Sequence, residues 1–232
     1  TSYSSDKTNE YKEKIFEKNL DDLNSEFIIL GALNFHQTKL NLSNVSFNKI
    51  ASEDSINIIN SNFIMNDVEF EEISSDSIDL DFSDGVIKNA IFKNIGNDAI
   101  DFSGSNVSVK NIYFDNVNDK LISVGENSKI NVSKINAKKS YTGIAAKDGS
   151  IVKASNINMT KVKLPFVSYN KKFEYDKAYM HLENINVSEF SEKWVTDGNS
   201  KIYFNNDEVG FASNKIIPII YKKDLNLLKK IN

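Results

Sequence analysis

The chain of 232 residues contains no cysteine and no arginine, and it has only two histidines, two prolines and one tryptophan. Without cysteine there are no disulfides, thiolate metal sites or cysteine nucleophiles, and the redox compartment cannot be read from the composition. Without arginine, all 28 basic residues are lysines, so a planar bidentate clamp on a carboxylate or phosphate is excluded. Long apolar runs are missing too. The longest are FIIL at residues 27–30 and IIPIIY at residues 216–221, so no membrane span is expected. A formal net charge of −4 and an isoelectric point near 5.4 argue against a phosphate-binding surface, so nucleic acid is not an expected partner.

What is present is a chain 40% hydrophobic and 26% charged, which is enough for one large domain with a continuous core. Asn, Ile and Lys are abundant, as the codon usage of an AT-rich bacterial genome would produce. The chain begins at Thr1 with neither Met nor a charged-then-apolar leader. The expectation is a mature or trimmed chain, secreted or held at the cell surface.

The strongest signal is internal repetition. Apolar residues recur at a spacing of 22, sometimes 23, along parallel tracks. One track is Leu33, Ile56, Ile78, Ile100, Ile122, Ile144 and Phe166, and a second, two residues later, is Phe35, Ile58, Leu80, Phe102, Val124 and Ala146. Three more begin at Leu42, Val45 and Phe47, the last running Phe47, Phe70, Phe92, Phe114, Ala137 and Met159. The two-residue step between tracks is the period of a strand with one buried face. Each unit holds too little apolar surface to bury itself, so the units must stack. One unit per turn then gives parallel strands about 4.8 Å apart, with like side chains in interior columns.

The prediction is an all-β, single-stranded parallel β-helix of about eight coils, right-handed by the general preference of parallel crossovers. Residues 32–206 form the coils. Residues 1–31 form an N-terminal cap containing an amphipathic helix over 8–24, with Tyr11, Ile15, Phe16, Leu20 and Leu23 on one stripe. Residues 207–232 form a cap or tail folded over the last coil, with an oligomer contact as the alternative. The spacing stretches to 28 between Ile157 and Ile185, so six extra residues near YNKKFEYDKA leave the coil as a loop. Trp194, 28 residues after Phe166, continues the first inner column. His36 and His181 read as structural residues.

The coil length, the aliphatic and Phe stacks and the polar Asn-bearing turns (Asn44, Asp67, Asn89, Asn111, Asn156 and Asn184, interrupted by Lys134) resemble the pectate-lyase-like superfamily of right-handed parallel β-helices. The resemblance spans residues 32–206 and matches no particular family within it. It implies that turn residues bond backbone from coil to coil. It also implies a polysaccharide, often acidic, lying along the parallel sheet, with carboxylates holding calcium and a basic residue taking a proton.

Residues flanking the inner columns point outward. Asp79, Asp101 and Ser123 form one outer column; Asp81, Ser103, Gly125, Lys147 and Tyr169 form another, with Glu126 and Asp148 at the edge. Stacked carboxylates must raise a pKa, hold a cation, or sit in enough water to tolerate both charges. On the resemblance, Lys147 is the expected general base if its pKa is depressed, and Asp79, Asp81 and Asp101 are the calcium ligands or electrostatic partners. Asp79 and Asp101 are also one coil apart, close to the separation of the two carboxyls in retaining glycosidases. Tyr169, Lys171 and Lys172, with Glu126 and Asp148, are the expected substrate contacts. The competing expectation is a non-catalytic spacer, spike or assembly module, whose exposed strands are polar only because they face water.

Overall fold

A computed structural model describes residues 31–221. The expected N-terminal helix lies outside the described residues. Within them the chain is a parallel β-solenoid of about eight turns.

One face of the coil is built from β1 (Gly31–His36), β3 (Asp54–Ile59), β5 (Asp76–Asp81) and β7 (Ile100–Ser103). It continues through the C-terminal parts of β8 (Asn106–Gly125), β9 (Lys129–Lys147) and β10 (Ile151–Tyr169), and ends at β12 (Trp194–Thr196). A second face is built from β2 (Lys39–Asn48), β4 (Asn62–Ile73) and β6 (Asp84–Ile95), the N-terminal parts of β8 to β10, and β11 (Tyr179–Ser188). All these pairings are parallel, each strand meeting the one about 22 residues on.

The repeat tracks are physical columns. Leu33, Ile56, Ile78, Ile100, Ile122, Ile144, Phe166 and Trp194 are successive register partners. From Ile56 to Phe166 this column is fully buried. The phenylalanines of the fifth track stack face to face, with centroids 4.6 Å apart for Phe47 and Phe70 and 5.1 Å for Phe70–Phe92 and Phe92–Phe114. That separation is the strand spacing imposed on the rings. Trp194 extends the first column by stacking 5.1 Å from Phe166.

Turn chemistry divides between two residue types. The Asn/Asp column from Asn44 to Asn184, including Lys134, has φ between 50° and 59°, the left-handed region where Asn is tolerated better than most residues. Its asparagines donate to a side chain of the preceding coil, as from Asn111 Nδ2 to Asn89 Oδ1 (2.7 Å) and from Asn89 Nδ2 to Asn66 Oδ1 (3.1 Å), or of the preceding residue, as from Asn44 Nδ2 to Ser43 Oγ (3.3 Å). Coil-to-coil bonding to the backbone, which the resemblance assigns to the Asn turns, falls to a buried serine column instead. Thr38, Ser61, Ser83 and Ser105 each donate their N–H to the Oγ of the serine one coil on, namely Ser61, Ser83, Ser105 and Ser128, at 2.9–3.0 Å. Each serine thereby satisfies a backbone donor that the corner would leave unpaired.

Of the segment after Asn206, residues 207–221 are described. The last coil closes with an antiparallel hairpin between β13 (Lys201–Phe204) and β14 (Asp207–Val209), while β15 (Phe211–Ala212) pairs with β12. A helix follows, α1 (Ile216–Ile220). It lies on the outer surface of the first face, packed on Tyr141, Ala145, Leu164, Val167 and Val195. The physical reason is that the outward column, polar at Asp79 and Asp101, becomes apolar at Ala145, Val167 and Val195 and so needs a cover.

Candidate functional site

The open part of the first face carries two acidic columns. One is Asn57, Asp79, Asp101 and Ser123, joined by register. The other, three positions earlier, is Asp54 and Asp76, continued at the same spacing by Asp98 and Lys120. Sequence reasoning named Asp79 and Asp101 and overlooked Asp54, Asp76, Asp98 and Lys120, although the 22-residue spacing that found the first column also generates the second.

Burial and mutual repulsion set the protonation of this surface. Asp79 is pushed up to about 8, first by burial and then by Asp81 and Asp101; Asn57 Nδ2 donates to its Oδ2 at 2.9 Å. Asp54, beside Asp76, is raised to about 6, again mainly by burial. Asp76 and Asp81 are also raised by burial, with Asp101 adding to both. Asp101 faces Lys147, its Oδ1 lying 3.6 Å from the ammonium and accepting the Phe102 N–H at 3.0 Å.

The two lysines are buried and cationic. Lys120 Nζ lies 2.7 Å from Asp119 and 3.3 Å from both oxygens of Asp98. Burial disfavours its charge, but Asp98 and Asp119 outweigh that and hold its pKa above the ordinary value. Burial also raises Asp98, while Asp119 makes the closer contact to the ammonium, at 2.7 Å. Lys147, only 8% exposed, shows the same balance: burial opposes its charge, Asp101, Asp98 and Tyr221 together outweigh it, and its pKa is raised. That is the reverse of the depression a general base at this position needs.

The expected substrate contacts are mostly tied to the protein itself. Tyr169 is fully buried beneath α1, its hydroxyl 3.4 Å from that of Tyr221. Asp148 is also fully buried, and its Oδ1 accepts the N–H groups of Lys171 (2.6 Å) and Lys172 (2.8 Å), which anchors the inserted loop. Lys172 Nζ is 2.6 Å from Glu126, whose carboxyl it holds below the usual range against the opposing effect of burial. The Lys171 ammonium lies 5.3 Å from the centre of the Tyr221 ring. His181 stacks on Tyr203 at 5.1 Å, in keeping with a structural role.

Among the described residues no three acidic or histidine side chains converge with metal-ligand geometry. Asp101 is turned to an ammonium and Asp79 to a carboxamide, partners that compete with a cation for the same oxygens.

One residue at the edge of this face is out of character. Phe82 follows Asp81 in the corner column, has φ of 49°, and is 66% exposed. A bulky side chain in the left-handed region costs about 1–2 kcal/mol, and here no core burial offsets it. Its ring lies over Gly104 one coil on, where a Cβ would come within 2.5 Å of Cδ1. The result is a flat aromatic surface beside Asp81. Sequence reasoning missed it because an exposed Phe carries no periodic signal.

No protein-family profile matches the chain, and no curated protein sequence matches it. Among solved structures it is similar to QnrB1, a plasmid-mediated fluoroquinolone resistance protein. The trypsin-treated form is 12% identical, with a TM-score of 0.21 over 81% of this chain and 96% of that one. The full-length form is 9% identical, with a TM-score of 0.16 over 81% and 98%. At those scores the likeness carries no argument, and the solenoid assignment rests on this chain's own strand register. Among the described residues no helix is long and apolar enough to cross a membrane.

Proposed function

We propose that this protein binds a polysaccharide along the acidic part of its first face and hydrolyses it with Asp79 and Asp101. The observation that carries the reading is the unequal environment of two register-matched carboxyls. Asp79 keeps its proton to about pH 8, while Asp101, one coil away, faces the Lys147 ammonium. Glycoside hydrolysis needs one carboxyl to protonate the leaving oxygen and one carboxylate to attack or to activate water, and a strand spacing of about 4.8 Å is near the separation used by retaining enzymes. Phe82 supplies a surface on which a sugar ring stacks. Such a polymer is met outside the cytoplasm, and that is the location the reading requires.

Hydrolysis is favoured over elimination because Lys147 is held charged. The test is release of reducing ends from a panel of neutral and acidic polysaccharides. Asp79→Asn and Asp101→Asn should each lower the rate by about 10² or more, and Phe82→Ala should weaken binding without lowering thermal stability. Unsaturated products, with activity lost in Lys147→Ala but kept in Asp79→Asn, would replace this reading with elimination.

A second reading, a non-catalytic surface rod, is favoured by the cover that α1 places over the same face and by the internal pairing of Lys171, Lys172 and Glu126. It predicts no product from any polymer and no biochemical change in Asp79→Ala, Asp101→Ala or Lys147→Ala.

A further inference from the structure

The one insertion in the regular coils builds a second polar cleft, away from the Asp79–Asp101 pair. After Tyr169 the chain leaves the coil and returns at β11, while one coil on the turn around Asp197 stands opposite. Between them is a cleft of about 450 Å³, within the size range of small-ligand sites. Asn170, Tyr175, Asp176 and Lys177 line the loop side, and Gly198 and Asn199 the turn side.

Both walls are fixed by one carboxylate. Asp197 Oδ2 accepts the N–H of Asn170 at 2.7 Å, and its Oδ1 accepts those of Asn199 (2.9 Å) and Ser200 (2.7 Å). The loop is braced further by Asn170 Nδ2 donating to the Tyr175 carbonyl at 2.8 Å and by the two N–H groups held on Asp148. The cleft is therefore preorganised, which lowers the ordering cost of binding.

Its chemistry is mixed. Asp176 and Lys177 offer an acceptor and a cationic donor, and Asn199 offers both functions. The Oδ1 of Asn170 is buried without a hydrogen-bond partner among the described residues, although its amide orientation is fixed by the bond to Tyr175. Lys201, on the far rim, is neutralised by Glu208 at 2.7 Å, so the lining has no large excess of one charge. Acceptors and donors at close range beside one aromatic ring suit a ring bearing several hydroxyls, since each hydroxyl both gives and takes a hydrogen bond.

We propose that this cleft is a subsite for a neutral saccharide unit, held by Tyr175, Asn170 and Asn199. The proposal rests on the polysaccharide reading for the class of ligand but not on Asp79 or Asp101. Cellotriose, mannotriose and chitotriose serve as probes, titrated into the ¹⁵N-labelled protein while amide shifts are followed. Saturable shifts are expected at residues 170–178 and 198–201 with at least one probe. Tyr175→Ala and Asn199→Ala should each weaken that binding about tenfold, the scale of one lost aromatic or hydrogen-bonding contact, with melting temperature unchanged. Tyr175→Phe should retain most of it, and Asp79→Asn all of it.

Shifts confined to residues around Phe82, Asp79 and Asp101 would overturn the subsite while leaving the sheet-face reading intact. Shifts at the cleft from a protein that cuts no polysaccharide would keep the subsite and remove the hydrolase. Absence of saturable shifts at the cleft with all three sugars at tens of millimolar, or shifts insensitive to Tyr175→Ala, would also overturn it.

Discussion

Asp79 and Asp101 are register partners on adjacent coils, yet the first is tied to the Asn57 carboxamide and the second to the Lys147 ammonium. The repeat alone makes the two positions equivalent. Their partners make them different, because the column changes from Asn57 at one end to Ser123 at the other while a lysine enters the neighbouring column three coils on.

This difference has a consequence for stability against pH. Asp79 is raised from 3.8 to about 8, so between those values the folded protein keeps a proton that the unfolded chain has released. The stabilisation is fully present below about pH 4 and is lost as pH rises towards 8. Asp54, Asp76 and Asp81 are shifted the same way. The melting temperature should therefore fall steadily from pH 5 to pH 8, and Asp79→Asn, which cannot ionise, should flatten that slope and melt higher than the parent at pH 8. A slope unchanged in Asp79→Asn would mean that Asp79 does not hold its proton.

Lys120 offers a second electrostatic test. Its ammonium is nearly inaccessible and serves both Asp98 and Asp119. Removing one partner of a buried pair costs about 3–5 kcal/mol because a charge is left uncompensated. In Lys120→Met the stranded Asp98 can take up a proton, so denaturant unfolding should show a smaller loss at pH 5.5 than at pH 8. Equal losses at both pH values would show that the cost is packing rather than charge.

The ease with which the fold was read, and the difficulty with the site, share one cause. Columns such as Ile56 to Phe166 were legible because coil stacking forces the same apolar choice every 22 residues, and the inner surface allows little else. The outward positions obey no such rule. Ser123, Ala145 and Val167 share a column with Asp101, and their change from polar to apolar makes sense only once α1 is seen lying on them. Tyr169 was misread as an exposed contact for that reason: its alternation is that of an outward residue, but the surface it faces is occupied. The serine ladder was passed over because a turn serine looks solvated in sequence, whereas Ser105 is 2% exposed and bonded to the next coil.

Asp148 should decide how the inserted loop behaves. Its buried Oδ1 holds two consecutive N–H groups at the start of the loop. In Asp148→Ala both donors lose their partner, at about 1–3 kcal/mol for each group that stays buried. Hydrogen exchange at Lys171 and Lys172 should accelerate by at least about tenfold, and trypsin should cut after these lysines. Protection in the coil interior, for example at Ile100 and Ile122, should not change. If the loop amides keep their parental exchange rates, the loop is held by something other than this carboxylate.

The cover formed by α1 can be tested by unseating it. Ile219 is 1% exposed and packs in the cluster with Val167 and Val195, and its carbonyl accepts the Tyr141 hydroxyl at 2.6 Å. Truncating a buried Ile to Ala costs about 2–5 kcal/mol where its neighbours cannot close in. The strand ladder from β1 to β12 makes no use of α1, so Ile219→Asp should detach the helix while the coils stay folded. Lys120, whose ammonium lies 5.4 Å from the centre of the Tyr221 ring, and Lys147 should then react faster with an amine-modifying reagent, by about tenfold or more on a local-opening scale. The far-UV β signal should be kept. Unchanged reactivity in a variant with intact coils would mean that these lysines are shielded by the sheet alone, and that the helix is not what closes this end of the face.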